Sequence, residues 1–354
     1  MVQKKKSVLK NIYIGTEALS HCRNFLNQRT YQKYVILCDQ NTQRLCLPLL
    51  LANCPVLREA EIIEIEAGES SKCLEVALQV WHGFLEQKAG KHSLLINLGG
   101  GVVSDLGGFC ASVYKRGIDV INIPTSLLAM VDASVGSKTG IDFGGVKNSI
   151  GTYHEPKAVF IDPIFILTLP PREMKNGLAE AIKMALIADK TFWLAFNKPN
   201  TAIDDKFISR ALTIKAKIVA KDPFDKGIRQ SLNYGHSIGH ALEALFAKRR
   251  NPLLHGEAIV MGMIIENHLA YQIKLLGKKE CDLINAFLIH SFKPLPLSRK
   301  DAEACLSFLN HDKKNTANEL KFSLLTGIGA CKTQVSVGAG KITKALQYYC
   351  HTVK

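Results

Sequence analysis

Short apolar runs punctuate the first half of the chain, each followed by polar or glycine-rich sequence. YVILCD (34–39), SLLINL (93–98), VINIP (120–124) and AVFID (158–162) read as buried strands, and EIIEIEAG (61–68) alternates as a half-wet strand does. Helical stretches lie between them. Strands separated by helices predict a parallel α/β sheet, which takes its ligands at the carboxyl ends of the strands. After Leu169-Pro170-Pro171 the pattern turns helical and stays so from Arg172 to about Gln272. A Pro-Pro pair cannot continue a helix, so the expected boundary lies near 170. It separates an α/β nucleotide-binding half at 1–170 from a mainly helical half at 171–354. KFSLLTGIG (321–329) predicts one late strand or hairpin piece.

Composition narrows the class. A chain of 354 residues exceeds what one core usually holds, and 47% hydrophobic against 21% charged residues excludes a disordered protein. The ten cysteines are scattered without a C-x-x-C pair, which predicts reduced thiols and a cytoplasmic protein. The basic N-terminus lacks the apolar core of a secretory signal, and the most apolar stretch, Val120 to Val135, is broken by Pro124 and Asp132. No membrane partner is expected. The net charge of +14 is spread along the chain, and aromatic residues are only 7%, so an anionic small molecule fits better than nucleic acid.

Three groups of residues carry candidate chemistry. In LGGGVVSDLGGF (98–109) a strand runs into Gly99-Gly100-Gly101 and a helix follows. Glycines there let the backbone and its N–H groups approach a pyrophosphate, although the spacing also suits a plain strand–helix turn. Asp39, ending an earlier strand, is placed either to bind a ribose hydroxyl or to cap a helix. His236 and His240 lie four apart in GHSIGHALE; with His255 of HGEAIVMGM and Glu180 of GLAEAIKMAL they form a set of potential zinc ligands. Arg116, Lys138, Lys147, Asn148, Lys183, Lys215, Arg229 and Asn233 would bind phosphate and carboxylate if they converged. A nicotinamide-type site, a catalytic metal and an anion pocket describe a metal-dependent polyol dehydrogenase or an enzyme built on one.

GGGVVSDLGGF, KRG (115–117), PTSLLAMVDASVGSKTGI (124–141), KNSIGTYHEP (147–156), LPPRE (169–173), GLAEAIK (177–183), IRQSLNYGHSIGHALE (228–243) and HGEAIVMGM (255–263) resemble the signature blocks of the 3-dehydroquinate synthases. They come in the family's order and span about residues 34 to 329. The resemblance implies an α/β plus α fold: a Rossmann-like NAD-binding domain (1–170) and a helical metal- and substrate-binding domain (171–354), related to glycerol dehydrogenase. It implies Zn2+, with Co2+ as the alternative, on Glu180, His236 and His255, leaving His240 to face phosphate. NAD contacts would come from Asp39, Asn41, Glu69, Lys72, Gly100, Gly101, Val102, Asp105, Thr125, Ser126, Lys147, Phe165, Thr168 and Asn176. Substrate contacts would come from Asp132, Lys138, Asn148, Lys183, Lys215, Arg229, Asn233 and a lysine of the DKK run, Lys313 or Lys314. In the family Arg116 reaches a neighbouring subunit's site, which implies a homodimer.

The reaction so implied turns 3-deoxy-D-arabino-heptulosonate 7-phosphate into 3-dehydroquinate and phosphate. NAD oxidises C5, the acidified C6 proton permits phosphate elimination, the hydride returns, the ring opens and an aldol closes the carbocycle. Same-fold alternatives act on sedoheptulose 7-phosphate or glucose 6-phosphate, which lack the carboxylate that Arg229, Lys215 and Asn233 would hold. An inert scaffold binding nucleic acid is the alternative of a different class. Two departures bear on the site. The family's V-G-G-K reads Val135-Gly136-Ser137-Lys138, so a serine would be strained by about 1 kcal/mol if that position needs a positive φ. The family's D-x-x-E-x-G-x-R carries Asp225 in place of Glu.

Overall fold

Each of the five apolar runs becomes a strand of one parallel sheet. The computed structural model describes residues 9–144, 146–196, 201–247, 249–311 and 319–354. Its first strands are β1 (Ile12–Ile14), β2 (Tyr34–Asp39), β3 (Glu61–Ile65), β4 (Leu94–Gly99) and β5 (Asp119–Pro124). A hairpin of β6 (Lys138–Phe143) and β7 (Val146–Tyr153) precedes β8 (Ala158–Ile161). The sheet order is β1-β8-β5-β4-β2-β3, with every pairing parallel. β4 and β8 are buried along their whole length, which is why they read as unbroken apolar runs. β3 ends the sheet and alternates accordingly.

The helix Gly101–Val113 packs on this sheet at van der Waals distance. A Cβ on Gly107 would stand 1.9 Å from Asn97 Oδ1, so only glycine lets the helix approach β4 this closely. Leu37, Val80, Phe84, Leu106 and Phe109 form the core beneath it. Inside the sheet Asn97 donates to Asn122 (2.9 Å), and Asn122 donates to the carbonyl of Ser134 (3.1 Å), pinning the segment after β5 to the strand ends.

The chain divides into two compact units, 1–174 with 202–216, and 175–201 with 217–354. The segment 202–216 thus counts with the first unit although it follows the Pro-Pro pair. The second unit is mainly helical, with helices His236–Phe246, His255–Gln272, Lys278–Phe292, Arg299–His311 and Ala339–Thr352. The late apolar run pairs as a hairpin of β9 (Glu319–Gly327) and β10 (Ala330–Gly338). His255–Gln272 is buried on nearly all sides and crosses His236–Phe246 at glycines. A Cβ on Gly262 would stand 2.0 Å from Gly235 O, and Gly235 itself has φ +79°. All ten cysteines are free thiols. Among the described residues no helix is long and apolar enough to cross a membrane.

Candidate active site

The three glycines where β4 runs into the next helix divide between two duties. A Cβ on Gly99 would meet Val103 at 2.5 Å, and one on Gly101 would stand 3.3 Å from Ala133, so these two serve packing. Gly100 has φ −78° and only the Ser126 side chain near its missing Cβ, Oγ at 3.3 Å and Cβ at 3.8 Å. The backbone does not demand glycine there, and the only close neighbour is the end of a serine side chain, which would have to give by a few tenths of an ångström. Gly100 is also the N-cap of Gly101–Val113, and among the described residues no side chain caps that helix. An open helix N-terminus behind a residue without a side chain suits a pyrophosphate. Gly100→Val is therefore expected to fold and keep its metal, but to need at least about tenfold more NAD for half-maximal rate. Titrating NAD against wild type and variant checks this.

Beside the loop the first unit gathers a charged cluster. Lys72, almost fully buried, pairs with Asp105 at 2.5 Å, and Lys147 pairs with Glu69 at 3.1 Å. Burial pulls the Lys72 ammonium down, but the charges of Asp105 and Glu69 outweigh it and raise its pKa. Burial raises the Asp105 carboxyl, with Lys72 opposing. Asp142, which the sequence did not single out, accepts from the Asn148 backbone N–H (2.7 Å) and fixes that residue at φ +52°, a conformation asparagine tolerates. Lys138 lines a small cavity with Ser104, Asp105, Gly136 and His154. Lys215 is buried and pairs with Asp132 Oδ1 at 2.9 Å.

Other expected cofactor contacts have structural work of their own. Asp39 caps the helix Gln40–Leu45, its Oδ1 accepting from the N–H groups of Asn41 and Thr42, both at 2.9 Å. Asn41 is exposed, Val102 half-buried and Thr125 buried. The Ser126 hydroxyl accepts from Ala129 N–H, and Thr168 donates to the carbonyl of Phe165. Phe165 is fully buried, so its ring belongs to the core and a cofactor could meet only its backbone. In the second unit Asn176 Oδ1 accepts from Gly256 N–H (2.6 Å) at the start of His255–Gln272.

The second unit brings the ligand set together. Glu180 is fully buried; its Oε2 pairs with Lys183 at 2.5 Å, and its Oε1 makes no hydrogen bond. His236 Nε2 stands 3.6 Å and His255 Nε2 3.5 Å from that Oε1. Ligands about 2.0–2.1 Å from a tetrahedral ion lie roughly 3.4 Å apart, so an orphaned buried oxygen and two ring nitrogens at this spacing fit a shared divalent metal. Each ring is aimed from behind. His236 Nδ1 lies 3.1 Å from Tyr234 O, which only Nδ1–H can satisfy, leaving Nε2 as a lone pair. His255 Nδ1 faces Glu243 Oε2 at 3.4 Å. His240, Glu243 and His255 form a second close set, but Glu243 meets His255 through its other nitrogen.

Electrostatics agree for Glu180 and His236; burial lowers the His255 imidazole, but Glu180 and Glu243 outweigh it and raise its pKa to about 9, so His255 gives up a proton when it ligates. Burial would raise the Glu180 carboxyl, yet Lys183, His255 and His236 hold it well below the usual carboxylate range. Burial keeps His236 neutral, its pKa well below the ordinary value. The chain also buries Glu266 completely, and this carboxylate accepts from the N–H groups of Gly235 (2.7 Å) and Ile238 (3.2 Å) at the start of the helix that carries His236 and His240. Burial pushes its pKa up to about 8, against the pull of those backbone donors. Glu243 and Glu266 escaped the sequence reading. Their spacing offers one signal: Glu243 follows His240 by three residues and Glu266 follows His255 by eleven, so each shares a helix face with a candidate histidine, although their contacts are with His255 and with the Gly235 and Ile238 N–H groups.

Residues 62–176 match the family described as "3-dehydroquinate synthase N-terminal", and residues 177–315 match "3-dehydroquinate synthase C-terminal". A 3-dehydroquinate synthase of Parabacteroides distasonis is 35% identical over 345 residues, covering 96% of this chain and 98% of its own. The chain belongs to the 3-dehydroquinate synthase family. With membership comes the family's lyase activity in the shikimate pathway. Among solved structures, 2-epi-5-epi-valiolone synthase from Streptomyces hygroscopicus subsp. jinggangensis 5008, with NAD+ and Zn2+ bound, matches at TM-score 0.82 and 26% identity over 99% of both chains. A 2-deoxy-scyllo-inosose synthase complexed with carbaglucose-6-phosphate, NAD+ and Co2+ shares the fold at TM-score 0.83 and 24% identity over 96% of both chains.

The two departures from the 3-dehydroquinate synthase pattern resolve differently. Ser137 is unstrained, because the positive φ of this turn falls on Gly136 (+129°), which is retained. Asp225 occupies a left-handed conformation, φ +61°, where aspartate is better tolerated than glutamate. Arg229 is buried, and its Nη1 donates to Pro223 O at 2.6 Å, while Asn233 is exposed. Arg116 is exposed at φ +62° next to Lys115 at +52°, each left-handed residue costing roughly 1–2 kcal/mol. Lys313 and Lys314 lie outside the described residues.

Proposed function

We propose that the chain converts 3-deoxy-D-arabino-heptulosonate 7-phosphate to 3-dehydroquinate and phosphate, with NAD on the Gly100 loop and a divalent metal, zinc or cobalt, on Glu180, His236 and His255. The observation that carries this reading is Glu180 Oε1, buried without a hydrogen bond and faced by two ring nitrogens. Bound, the metal lowers the pKa of a substrate hydroxyl and NAD takes a hydride that it later returns, so the reaction is redox-neutral. The relatives with NAD+ and Zn2+ or Co2+ in their structures support both groups.

The chain's own residues divide the remaining work. Lys183 holds the Glu180 carboxylate ionised and fixed in place. NAD contacts come from Asp39, Asn41, Glu69, Lys72, Gly101, Val102, Asp105, Thr125, Ser126, Lys147, Phe165, Thr168 and Asn176, with the pairs Lys72–Asp105 and Lys147–Glu69 holding four of them in place. Lys138, Asn148, His240 and Lys313 or Lys314 bind the phosphate, and the departing phosphate serves as its own base. Arg229, Asn233 and Lys215 bind the carboxylate, with Asp132 orienting the Lys215 ammonium. Arg116 acts in a partner subunit's site. Phe143 and Val146, paired across the β6–β7 hairpin, are 56% and 61% exposed, an apolar spot that a second copy would cover. A cytoplasmic location completes the proposal.

Phosphate release measured on three sugar phosphates tests the substrate assignment. The heptulosonate 7-phosphate should turn over, while sedoheptulose 7-phosphate and glucose 6-phosphate should give little. Equal or better rates on either neutral-headed sugar would move the chain to another branch of the cyclases. Ultracentrifugation should give twice the 39.0 kDa chain mass.

A further inference from the structure

Lys115, Arg116 and Gly117 take positive φ in succession, +52°, +62° and +100°. Only the last is a residue that does so freely. Such a curl turns consecutive carbonyl oxygens to one side of the chain. At that side stands Lys91, in the short loop before β4. Its Nζ donates to Lys115 O (3.3 Å), Arg116 O (3.1 Å) and Gly117 O. An ammonium carries three hydrogens and no acceptor, so three converging carbonyls match its capacity. The rest of the loop is held from other directions: Gly117 N–H donates to Tyr114 O, Ile118 N–H donates to Ala111 O, and His154 Nε2 contacts Ile118 O.

We propose that Lys91 is a positioning residue for Arg116. Its charge gathers the three carbonyls and so keeps Lys115 and Arg116 in a backbone conformation that neither would hold unaided. The direction in which the Arg116 guanidinium leaves the surface follows from that backbone angle. Without the brace, the arginine relaxes toward ordinary φ values and is presented to substrate only part of the time. The inference rests on the substrate role given to Arg116 above.

A double-mutant cycle on the full-length protein tests it, reading kcat and KM for the heptulosonate 7-phosphate together with thermal unfolding. Lys91→Met should lower kcat/KM about tenfold, with NAD affinity and metal content unchanged. Lys91→Arg, which restores donors and charge, should recover most of the loss. In an Arg116→Ala background Lys91→Met should cost nothing further, because the group it positions is gone. A Lys91→Met effect of equal size with and without Arg116 would overturn the inference, as would unchanged kcat/KM in the single variant. A silent Arg116→Ala would instead remove the role of Arg116, and the positioning role with it. If Lys91→Met lowers the unfolding temperature and Lys91→Arg restores stability without activity, the lysine is a stabilising contact only.

Discussion

Glu180→Gln is expected to yield a protein that neither retains divalent metal nor releases phosphate from the heptulosonate, and that unfolds more easily. Two losses coincide. The metal loses its one anionic ligand, and the remaining His236 and His255 nitrogens hold a divalent ion poorly. A weakening beyond the roughly 10–100-fold typical of supporting residues is expected. At the same time Lys183, 2% exposed, loses the carboxylate 2.5 Å away. Removing one partner of a buried pair costs about 3–5 kcal/mol because the other charge stays buried. Lys183→Met in the Glu180→Gln background should restore part of the stability but none of the metal, which separates the effects. Metal analysis of the purified variant, with denaturant unfolding, reads both. A Glu180→Gln protein holding one zinc per chain with ordinary turnover would place the metal elsewhere.

Arg229→Ala is expected to lower kcat/KM for the heptulosonate by roughly ten- to hundredfold. A guanidinium meets a carboxylate as a planar fork, and a buried charge-assisted contact of this kind contributes on the order of 1.5–3 kcal/mol. Arg229 has the required burial, and its Nη1 is anchored on Pro223 O, so the side chain is already ordered before substrate arrives. Arg229→Lys should recover little, since a point charge does not replace the fork. Residual turnover of sedoheptulose 7-phosphate, which has no carboxylate, should hardly change. Parallel losses on both sugars would show that Arg229 supports the 222–229 loop and not the carboxylate.

The strands of the sheet were legible because burial on both faces forces apolar runs, as in LLINLG of β4. The β6–β7 hairpin was not. Its positions are mostly exposed, and its pairing depends on Gly140 facing Gly151, where a Cβ on either would strike backbone at 2.7 or 2.4 Å. β1 has three residues, too few to show a period. In the second unit, four-residue spacing announced that His236 and His240 share a helix. What spacing left open is which side chains meet: the carbonyl of Tyr234 and the carboxylate of Glu243 aim two imidazoles at Glu180. Those partners are tertiary, and a one-dimensional pattern does not contain them. Asp39 shows the opposite limit: the residue expected on a ribose completes a capping box with Thr42, a local duty that explains the carboxylate by itself.

The proposed reaction is a redox-neutral elimination that needs a metal on Glu180, His236 and His255 and a recycled NAD. It is tested most directly by following phosphate release from 3-deoxy-D-arabino-heptulosonate 7-phosphate with NAD far below the substrate concentration, before and after removal of metal by a chelator. Many phosphates per NAD should appear without NADH accumulating, the chelated protein should be silent, and zinc or cobalt should restore it. Phosphate release that survives chelation, or one NADH formed per phosphate, would contradict the account.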